Sequence, residues 1–542
     1  MSPLSPKHSY LLTWVAVLLI CVLPLLTMGV QLLPHPELFS LLWETAVLKS
    51  LATTLSVGFT SLFFALLIGI PVSYLISRTN IRGKSFFEFW LLFPFFVPSY
   101  LFAIAWVVLA LPQVGILNRV MGRDWLNIYS FWGLVWVTCN AYFPVIVNTL
   151  SKSFSSMDSS LEEAARICGA TPSRVFFKIT LPCQNANMIG AGLVFLFITL
   201  SSFGIPAIVG NPAKLYVLTT QIFTYSKMGG MNGINQAFVI SFWLIGFSLF
   251  LTSLGRKLKQ KHSVALTLGK MSRTSLMDLG KWRFPCEGFL LCLLICFIAL
   301  PIGAIILSSF FSVAGNLSRS NLSFQHYRYL FQLQEARNAI TNSLTLAFLG
   351  GITCCGLGLL ITYFSHRSAF WGKATIEKIS SLPFSIPGTV IALAFLVSFG
   401  SGWGIKEISL LGTPFLIYLT YVAKDLAIAV QTLGPALNQI DKNLEEAGRV
   451  FGAPPLGVVD RILFPILFPT LKSVFFLCAL PMLSELTMSV LLFGPGTETL
   501  GTLIFQLQDY ASPLAACALA TLLIFFLGSG MLIGRFFSRV KP

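Results

Sequence analysis

The stretch LEEAARICGATPSRVFFKITLP, residues 161–182, returns later in the chain as LEEAGRVFGAPPLGVVDRILFP, residues 444–465. Both stretches are charged and helix-like, although the sequence around them is strongly apolar. The copies are 283 residues apart, from Glu163 to Glu446, and the same register pairs Asp158 with Asp441, Leu161 with Leu444 and Ser201 with Ser484. This register predicts a duplicated chain in which two halves share one fold.

The composition places both halves in a membrane. Of the 542 residues, 55% are hydrophobic and only 10% are charged, whereas a soluble domain has about 25% charged residues. Apolar runs of about 20 residues predict membrane-spanning helices, because a helix satisfies its own backbone in lipid. We predict an all-α polytopic membrane protein with about 12 transmembrane helices, arranged as two parallel repeats of about six helices. The predicted spans are roughly 10–30, 50–77, 86–111, 130–150, 185–208, 235–255, 287–312, 339–364, 379–400, 411–432, 468–491 and 513–534.

The basic residues indicate how the chain crosses the membrane. The net charge is +16, and Lys and Arg gather in alternate loops, around residues 78–84, 256–261, 367–378 and 535–541. The positive-inside rule makes these loops cytoplasmic, which places both termini and both charged stretches on that side. We therefore expect a lipid bilayer, and no nucleic acid, as partner. The predicted domains are 1–255, a basic cytoplasmic linker at 256–286, and 287–542.

The sequence contains no recognisable pattern for a metal, a disulfide framework or nucleotide binding. Most of the 11 Cys lie in apolar spans and the 5 His are scattered, so we predict no fixed metal and no cofactor in this chain. Gly83-Lys84-Ser85 lacks the upstream Gly of a phosphate-binding loop, because Arg78 occupies that place. The sequence therefore predicts no catalytic residues, and we do not expect an enzyme.

Each charged stretch is predicted to form two short helices around a sharp turn. In the first copy Asp158 or Ser159 caps the first helix, and Ser159-x-x-Glu162 and Ser160-x-x-Glu163 both fit a capping box. Gly169 ends that helix, Thr171-Pro172 begins the next and Pro182 closes it. The second copy repeats the plan with Asp441, Gly452, Pro454 and Pro465.

Two readings of these elbows are open. They could only solvate a loop, or they could dock onto a partner. Solubility alone does not require a matched Glu, a matched Gly and a matched Pro in both copies, so the repeat favours docking.

The first copy resembles the signature loop of importer-type ABC transporter permeases: Glu-Ala-Ala, three residues, Gly, nine residues, Ile, one residue, Leu-Pro. It matches at every position, and the second copy departs only at Gly448 and Phe464. The resemblance implies that each loop is a coupling helix seated in a groove of a separate ATPase subunit, present in two copies, which uses the ATP. The implied coupling residues are Glu163, Ala164, Ala165, Gly169, Glu446, Ala447, Gly448 and Gly452.

Longer segments resemble the fused two-domain permeases of ferric-iron importers, whose close relatives handle thiamine, 2-aminoethylphosphonate or polyamines. These segments are residues 91–107, 203–223, 385–395 and 483–507. The resemblance implies a bacterial inner-membrane protein that receives its substrate, ferric iron in the first instance, from a periplasmic binding protein.

Polar residues inside the spans are candidates for a substrate pathway. Glu485 lies in the eleventh predicted span, and its repeat partner is Ser202, so the candidates are Ser201, Ser202, Ser484 and Glu485. A carboxylate there would favour a cation, and the alternatives are a structural hydrogen bond and a place near the outer interface. Lys424 and Asp425, in the tenth span, are predicted to be structural.

Two other classes of function were weighed. An ion-coupled secondary transporter also has about 12 spans in two halves, but it has no reason to keep paired elbows and usually carries several buried charged residues. A membrane-embedded enzyme would need a catalytic constellation, and none has the required spacing. The sequence therefore favours the ATP-driven importer.

Overall fold

The computed structural model describes residues 6–228, 230–262, 276–368, 371–400 and 409–539. The described residues form helices and loops, and the β-structure in them is limited to isolated bridges. Nine described helices are long and apolar enough to cross a membrane: Lys7–Leu32, Thr45–Arg78, Phe131–Ser156, Gly230–Leu258, Gly280–Ser308, Gln334–Arg367, Pro414–Asn438, Val459–Leu483 and Pro513–Gly530. Three bent helix pairs bring the number to as many as 12, which confirms the predicted fold class.

Proline breaks two of the predicted spans. Lys84–Phe95 and Ser99–Ala110 meet at 95° around Pro98, where the predicted span 86–111 was continuous. Lys373–Ser385 and Gly388–Gly400 meet at 108° around Pro387. A proline disfavours helical geometry in the residue before it and provides no backbone donor, so the helix cannot pass straight through.

Shorter elements complete the fold. The third bent pair is Pro172–Cys183 with Asn185–Leu200, at 63°. A 3₁₀ helix spans Pro36–Trp43. The remaining α-helices of four residues or more are Ile116–Met121, Ser160–Ile167, Leu218–Met228, Gln325–Gln332, Lys442–Val450, Pro455–Val458, Ser489–Leu492 and Leu500–Gln506, with three-residue 3₁₀ and five-residue π segments between some of them. Of the predicted linker, a helix covers the part up to His262, and residues 263–275 lie outside the described residues.

One compact unit comprises Trp43–Gln221 and Gly246–Phe324. Thr45–Arg78 packs along Phe131–Ser156, and Asn185–Leu200 packs on both. The helix Gly280–Ser308 joins this core through residues such as Leu290 and Phe297, which are buried against Phe143 and its neighbours. The first helix of the second repeat is therefore part of a unit built mainly from the first repeat.

The other compact unit comprises Met1–Leu42, Ile222–Ile245 and Gln325–Pro542. Gln334–Arg367 packs on Pro414–Asn438 and Val459–Leu483, as its counterpart does in the first unit. Lys7–Leu32 joins this core, where Val17 and Cys21 pack with Leu426 and Val430. The first helix of the chain is therefore part of a unit built mainly from the second repeat.

Small residues bring the central helices together at equivalent places. A Cβ added at Gly358 would lie 2.7 Å from the Cβ of Ala429, and one added at Gly69 would lie 2.7 Å from Cγ2 of Ile146. Such distances are too short for a side chain, so only glycine permits this approach of the two helices.

Candidate coupling loops and polar residues of the spans

We call residues 158–182 the first coupling loop and residues 441–465 the second. In the first, Asp158 accepts the backbone N–H of Ser160 at 3.0 Å, and the helix Ser160–Ile167 follows. The predicted cap at Asp158 is confirmed. The predicted capping boxes do not form, because the Ser159 hydroxyl donates to the Glu163 carboxylate at 2.9 Å instead of accepting from the backbone.

The turn between the two short helices is made by glycine in both loops. Gly169 has φ +82° and Gly452 has φ +84°, a left-handed conformation that favours glycine. In both loops the N–H groups that follow the first helix donate to its last carbonyls. In the first loop Gly169 donates to Arg166 at 2.9 Å and Ala170 to Ala165 at 3.0 Å. In the second loop Gly452 donates to Arg449 and Ala453 to Gly448 at the same two distances. The predicted bend is therefore correct in both copies.

The second limb differs between the loops. In the first, Thr171 is extended, Pro172 begins the helix, and the helix ends at Cys183 beside Pro182, as predicted. In the second, the prediction was wrong in two respects: Pro455 rather than Pro454 begins the helix, and Pro465 does not end it. A π turn precedes the proline in both loops, at Phe176–Thr180 and at Val459–Leu463, so the missing proline N–H is tolerated in each. The first loop is then broken between Cys183 and Asn185, whereas the second continues as the helix Val459–Leu483.

All eight predicted coupling residues are exposed or half-buried: Glu163, Ala164, Ala165, Gly169, Glu446, Ala447, Gly448 and Gly452. The departure from alanine at Gly448 has a local cause, since a Cβ there would lie 2.4 Å from Cδ1 of Ile462 on the second limb. The small residues thus let the two limbs pack closely while the polar side remains accessible.

Large apolar side chains are exposed at the bend of each loop. Ile167 is 87% exposed in the first loop, and its repeat counterpart Val450 is 85% exposed in the second. Phe451, next in sequence, is 91% exposed. Contiguous exposed apolar residues with a polar rim are typical of protein interaction sites.

A buried ion pair lies behind the first loop. Nη2 of Arg78 lies 2.6 Å from Oε2 of Glu162, and both side chains are 1% exposed. The Thr180 hydroxyl donates to the other carboxylate oxygen at 2.6 Å, and Nη1 of Arg78 donates to the carbonyl of Met157 at 3.1 Å. Arg166 adds a more exposed contact to Glu162 at 3.8 Å.

The second loop has the equivalent pair. Nε of Arg367 lies 2.8 Å from Oε1 of Glu445, with side chains 5% and 4% exposed. Nη2 of Arg367 donates to the carbonyls of Leu437 and Ile440 at 2.8 and 2.7 Å. In both halves the arginine is the last residue of a 34-residue helix, Thr45–Arg78 or Gln334–Arg367.

The serine candidates of the pathway are in two different environments. Ser202 accepts from the Tyr142 hydroxyl at 3.0 Å, while the hydroxyl of Ser201 is buried and has no hydrogen-bond partner among the described residues. Ser484 donates to the carbonyls of Leu480 and Pro481 at 3.4 and 3.3 Å.

Glu485 has a local structural role. Its carboxylate accepts the backbone N–H groups of Met488 at 2.9 and 3.0 Å and of Ser489 at 3.0 Å, and the Ser489 hydroxyl at 2.9 Å. It therefore caps the short helix Ser489–Leu492, whose Ser489 also contacts the Tyr421 hydroxyl at 2.5 Å. A structural hydrogen bond was one of the two alternatives for this residue, the other being a place near the outer interface. The place of Glu485 on a pathway stays a prediction.

Lys424 closes the break in a bent span. Its ammonium group donates to the backbone carbonyls of Pro383, Phe384 and Ile386, which lie where Lys373–Ser385 gives way to Gly388–Gly400. A broken helix leaves carbonyls without partners, and in lipid each needs one. The structural role predicted for Lys424 is thus a specific one.

The comparison with known proteins gives the family. A model described as "Binding-protein-dependent transport system inner membrane component" matches residues 61–254 and 355–533, one segment in each half. The chain belongs to this family. It is therefore a permease of the ABC-importer type, and each matched segment contains one coupling loop.

Individual relatives and one solved structure are similar to this chain to different extents. The permease is 25% identical over 510 residues to an Fe(3+)-transport system permease protein of Haemophilus influenzae, covering 93% of this chain and 91% of that protein. It is 26% identical over 427 residues to a ferric transport system permease protein of Actinobacillus pleuropneumoniae, covering 77% of this chain and 60% of that protein. A solved bacterial ABC transporter involved in alginate import aligns with 48% of this chain and 98% of its own, at 22% identity and TM-score 0.39.

The buried ion pairs behind the loops are a feature that sequence reasoning missed. Glu162 and Glu445 were visible as matched acids beside the predicted contacts, but a charged residue in a charged loop gives no sign of burial. Their partners are 84 and 78 residues away in sequence. A signal for these pairs was present in the sequence, since an arginine, Arg78 or Arg367, ends a long apolar helix ahead of each loop.

No group of three or more His, Cys, Asp or Glu that could hold a metal ion occurs among the described residues. The permease carries two loops with exposed apolar bends and hydrogen-bonding groups within its spans.

Proposed function

We propose that this permease is the membrane subunit of an ATP-driven importer, that a separate ATPase docks on both coupling loops, and that the cargo is ferric iron delivered by a periplasmic binding protein. The observation that carries the proposal is the pair of matched loops, each with a buried anchor and an exposed apolar bend. A solvated loop does not require either feature. An ion-coupled transporter would not require two such loops.

The choice of ferric iron rests on the relatives. Two relatives that align with 77% and 93% of this chain are named as ferric or Fe(3+) transport permeases. Ferric iron is a hard ion that prefers oxygen ligands, and the serine and glutamate side chains of the predicted pathway supply them. Thiamine, 2-aminoethylphosphonate and polyamines are the alternative cargoes for the same machinery.

The orientation follows from the same proposal. Docking requires both loops to face the cytoplasm, which agrees with the basic loops and places both termini on that side of the bacterial inner membrane.

The first test concerns the ATPase. The permease is purified after co-expression with a candidate ABC ATPase subunit from the same genome. Three forms are compared: the parent, Glu163→Arg/Glu446→Arg and Val120→Arg. Val120 is a matched control, because it is 70% exposed and lies on the opposite, outward side by prediction. We expect the parent and Val120→Arg to retain the ATPase and the double variant to lose it. Retention by the double variant at the parent's level would contradict docking through these loops.

The second test concerns the cargo. Uptake of radiolabelled ferric iron is measured in cells with and without the permease, with its ATPase and binding protein present. Gene-dependent uptake that disappears in Glu163→Arg/Glu446→Arg would support both cargo and coupling. Uptake that does not depend on the gene would reject ferric iron and direct the same assay to thiamine, phosphonates and polyamines.

A further inference from the structure

Each of the two 34-residue helices has contacts near both of its ends. One end contacts a coupling loop, and the other contacts a segment on the predicted outward side. The lower end is Arg78 or Arg367, which holds a coupling loop through the buried pair with Glu162 or Glu445. The upper end reaches the predicted outward side. The question is what holds it there.

At the upper end, a hydroxyl on each long helix accepts a backbone N–H from the outward connection, the segment that leads into the next short helix. The N–H of Leu218 donates to Thr54 at 2.9 Å, and the N–H of Leu500 donates to Ser343 at 2.8 Å. All four residues are buried. The two contacts are repeat counterparts, since Leu218 and Leu500 begin equivalent helices.

The spacing between the two attachments is the same in both halves. Thr54 and Arg78 are 24 residues apart, as are Ser343 and Arg367. At 1.5 Å per residue this is about 36 Å of helix, longer than the hydrocarbon core of about 30 Å. A single continuous helix thus connects the two predicted faces of the membrane in each half.

The lower attachment has the properties of a fixed joint. In the first half, Arg78 uses two of its nitrogens at once, on Glu162 and on the carbonyl of Met157 at the start of the loop. Glu162 in turn holds Thr180 on the second limb. The pair therefore binds the long helix to both limbs of the loop, and breaking it would leave an uncompensated charge in a buried site.

We propose that Arg78 with Glu162, and Arg367 with Glu445, are positioning residues that make each coupling loop and its long helix move as one body, so that docking of the ATPase is felt at the outward connection. This inference rests on the proposed function, because it needs an ATPase on the loops. The four residues touch neither cargo nor nucleotide. They act by holding the loop on the helix.

The test reads the outward connection directly and does not depend on the cargo. Tyr216→Cys places a reporter there, on a residue that is 44% exposed and two positions before Leu218. The complex with its ATPase is reconstituted in proteoliposomes, and the reaction rate of the reporter with an external, membrane-impermeant maleimide is compared without nucleotide and after trapping with ATP and vanadate. The chain without Tyr216→Cys gives the background from native cysteines.

In the chain with Tyr216→Cys and no other change, we expect the maleimide reaction rate to change at least about fivefold on trapping. This is the lower end of the range usual for coupling between two sites. Glu162→Gln keeps the shape of the side chain and removes its charge. We expect the reaction rate in this variant to be nearly the same with and without trapping, while the ATPase stays bound. Arg166→Gln is the matched control in the same loop, because it removes only the exposed 3.8 Å contact to the same carboxylate. It should respond as the parent does.

A parent-like response in Glu162→Gln with the ATPase bound would overturn the inference alone. A parent that binds no ATPase would overturn the proposed function, and the inference with it. Should Glu162→Gln fail to assemble, Glu445→Gln is tested in the other half. Its reporter is Pro495→Cys, at an exposed residue of the outward connection that leads to Leu500. There too, loss of the response supports the joint and a retained response refutes it.

Discussion

Truncation of the apolar bends should weaken ATPase binding by an amount that follows from their exposure. Phe451 is 91% exposed and Ile167 is 87% exposed, so nearly the whole side chain is available for burial by a partner. Phe451→Ala and Ile167→Ala remove that surface without adding charge or altering the glycine turn behind it. Any loss of affinity then reports the buried area.

The magnitude comes from the transfer free energy of the side chains. Full burial of a large apolar side chain is worth about 1.5–3 kcal/mol. Since each 1.4 kcal/mol is a factor of ten in Kd, we expect Phe451→Ala to weaken binding about 10- to 140-fold. Ile167→Ala should cost somewhat less, about 5- to 30-fold. The bends belong to separate loops, so the free energies should add in the double variant.

The assay is a titration of purified ATPase onto the permease in lipid nanodiscs, followed by calorimetry or a fluorescent label. Val120→Ala, exposed on the outward side by prediction, controls for nonspecific effects of removing surface apolar area. A Kd within about twofold of the parent for both single variants and the double variant would refute burial of these side chains at the interface.

Three further predictions follow from packing and polar contacts. Gly358→Ala should destabilise the permease by about 1–3 kcal/mol, because the added Cβ would overlap Ala429. Gly356→Ala on the same helix is the control, since no atom lies within 4 Å of a Cβ added there. Equal thermal stability of the two variants in detergent would contradict the close approach of the helices. Lys424→Met should cost about 1–3 kcal/mol, because it strips the carbonyls at the helix break of their donor, and an unchanged melting temperature would show that they are satisfied otherwise. Glu485→Gln retains acceptor oxygen for the cap, so assembly should persist while uptake of a cationic cargo falls at least about tenfold, or 1.4 kcal/mol; parent-level uptake would leave only the capping role.

Much of the architecture was predictable because it is encoded locally. Apolar runs long enough to cross a bilayer identify the spans, and the register of two charged stretches identifies the duplication. Gly169 and Gly452 could be assigned to turns because a left-handed conformation restricts the residue types there. These features need no knowledge of distant parts of the chain.

The remaining features depend on partners far away in sequence. Arg78 looks like one more basic residue at a cytoplasmic helix end until Glu162 is placed on it. Each repeat contributes its first helix, Lys7–Leu32 or Gly280–Ser308, to the unit built mainly from the other repeat. Packing between helices decides this, and no local sequence pattern indicates it. Pro465 was expected to end a helix because it has no backbone donor, but the helix continues through it. The π turn before it accommodates the missing N–H, and a π turn has no clear sequence signature. The role of the coupling residues in binding an ATPase stays a prediction.

The unlike bends of the two loops have a consequence for any partner built from two identical subunits. The first loop presents Ile167 followed by a cysteine, and the second presents Val450 followed by Phe451. Identical grooves would therefore meet different amounts of apolar surface and hold the two loops with unequal strength. Dissociation of such a partner would begin at the first loop. Two identical subunits would thus release the permease in a fixed order, because the single chain presents them with unlike loops.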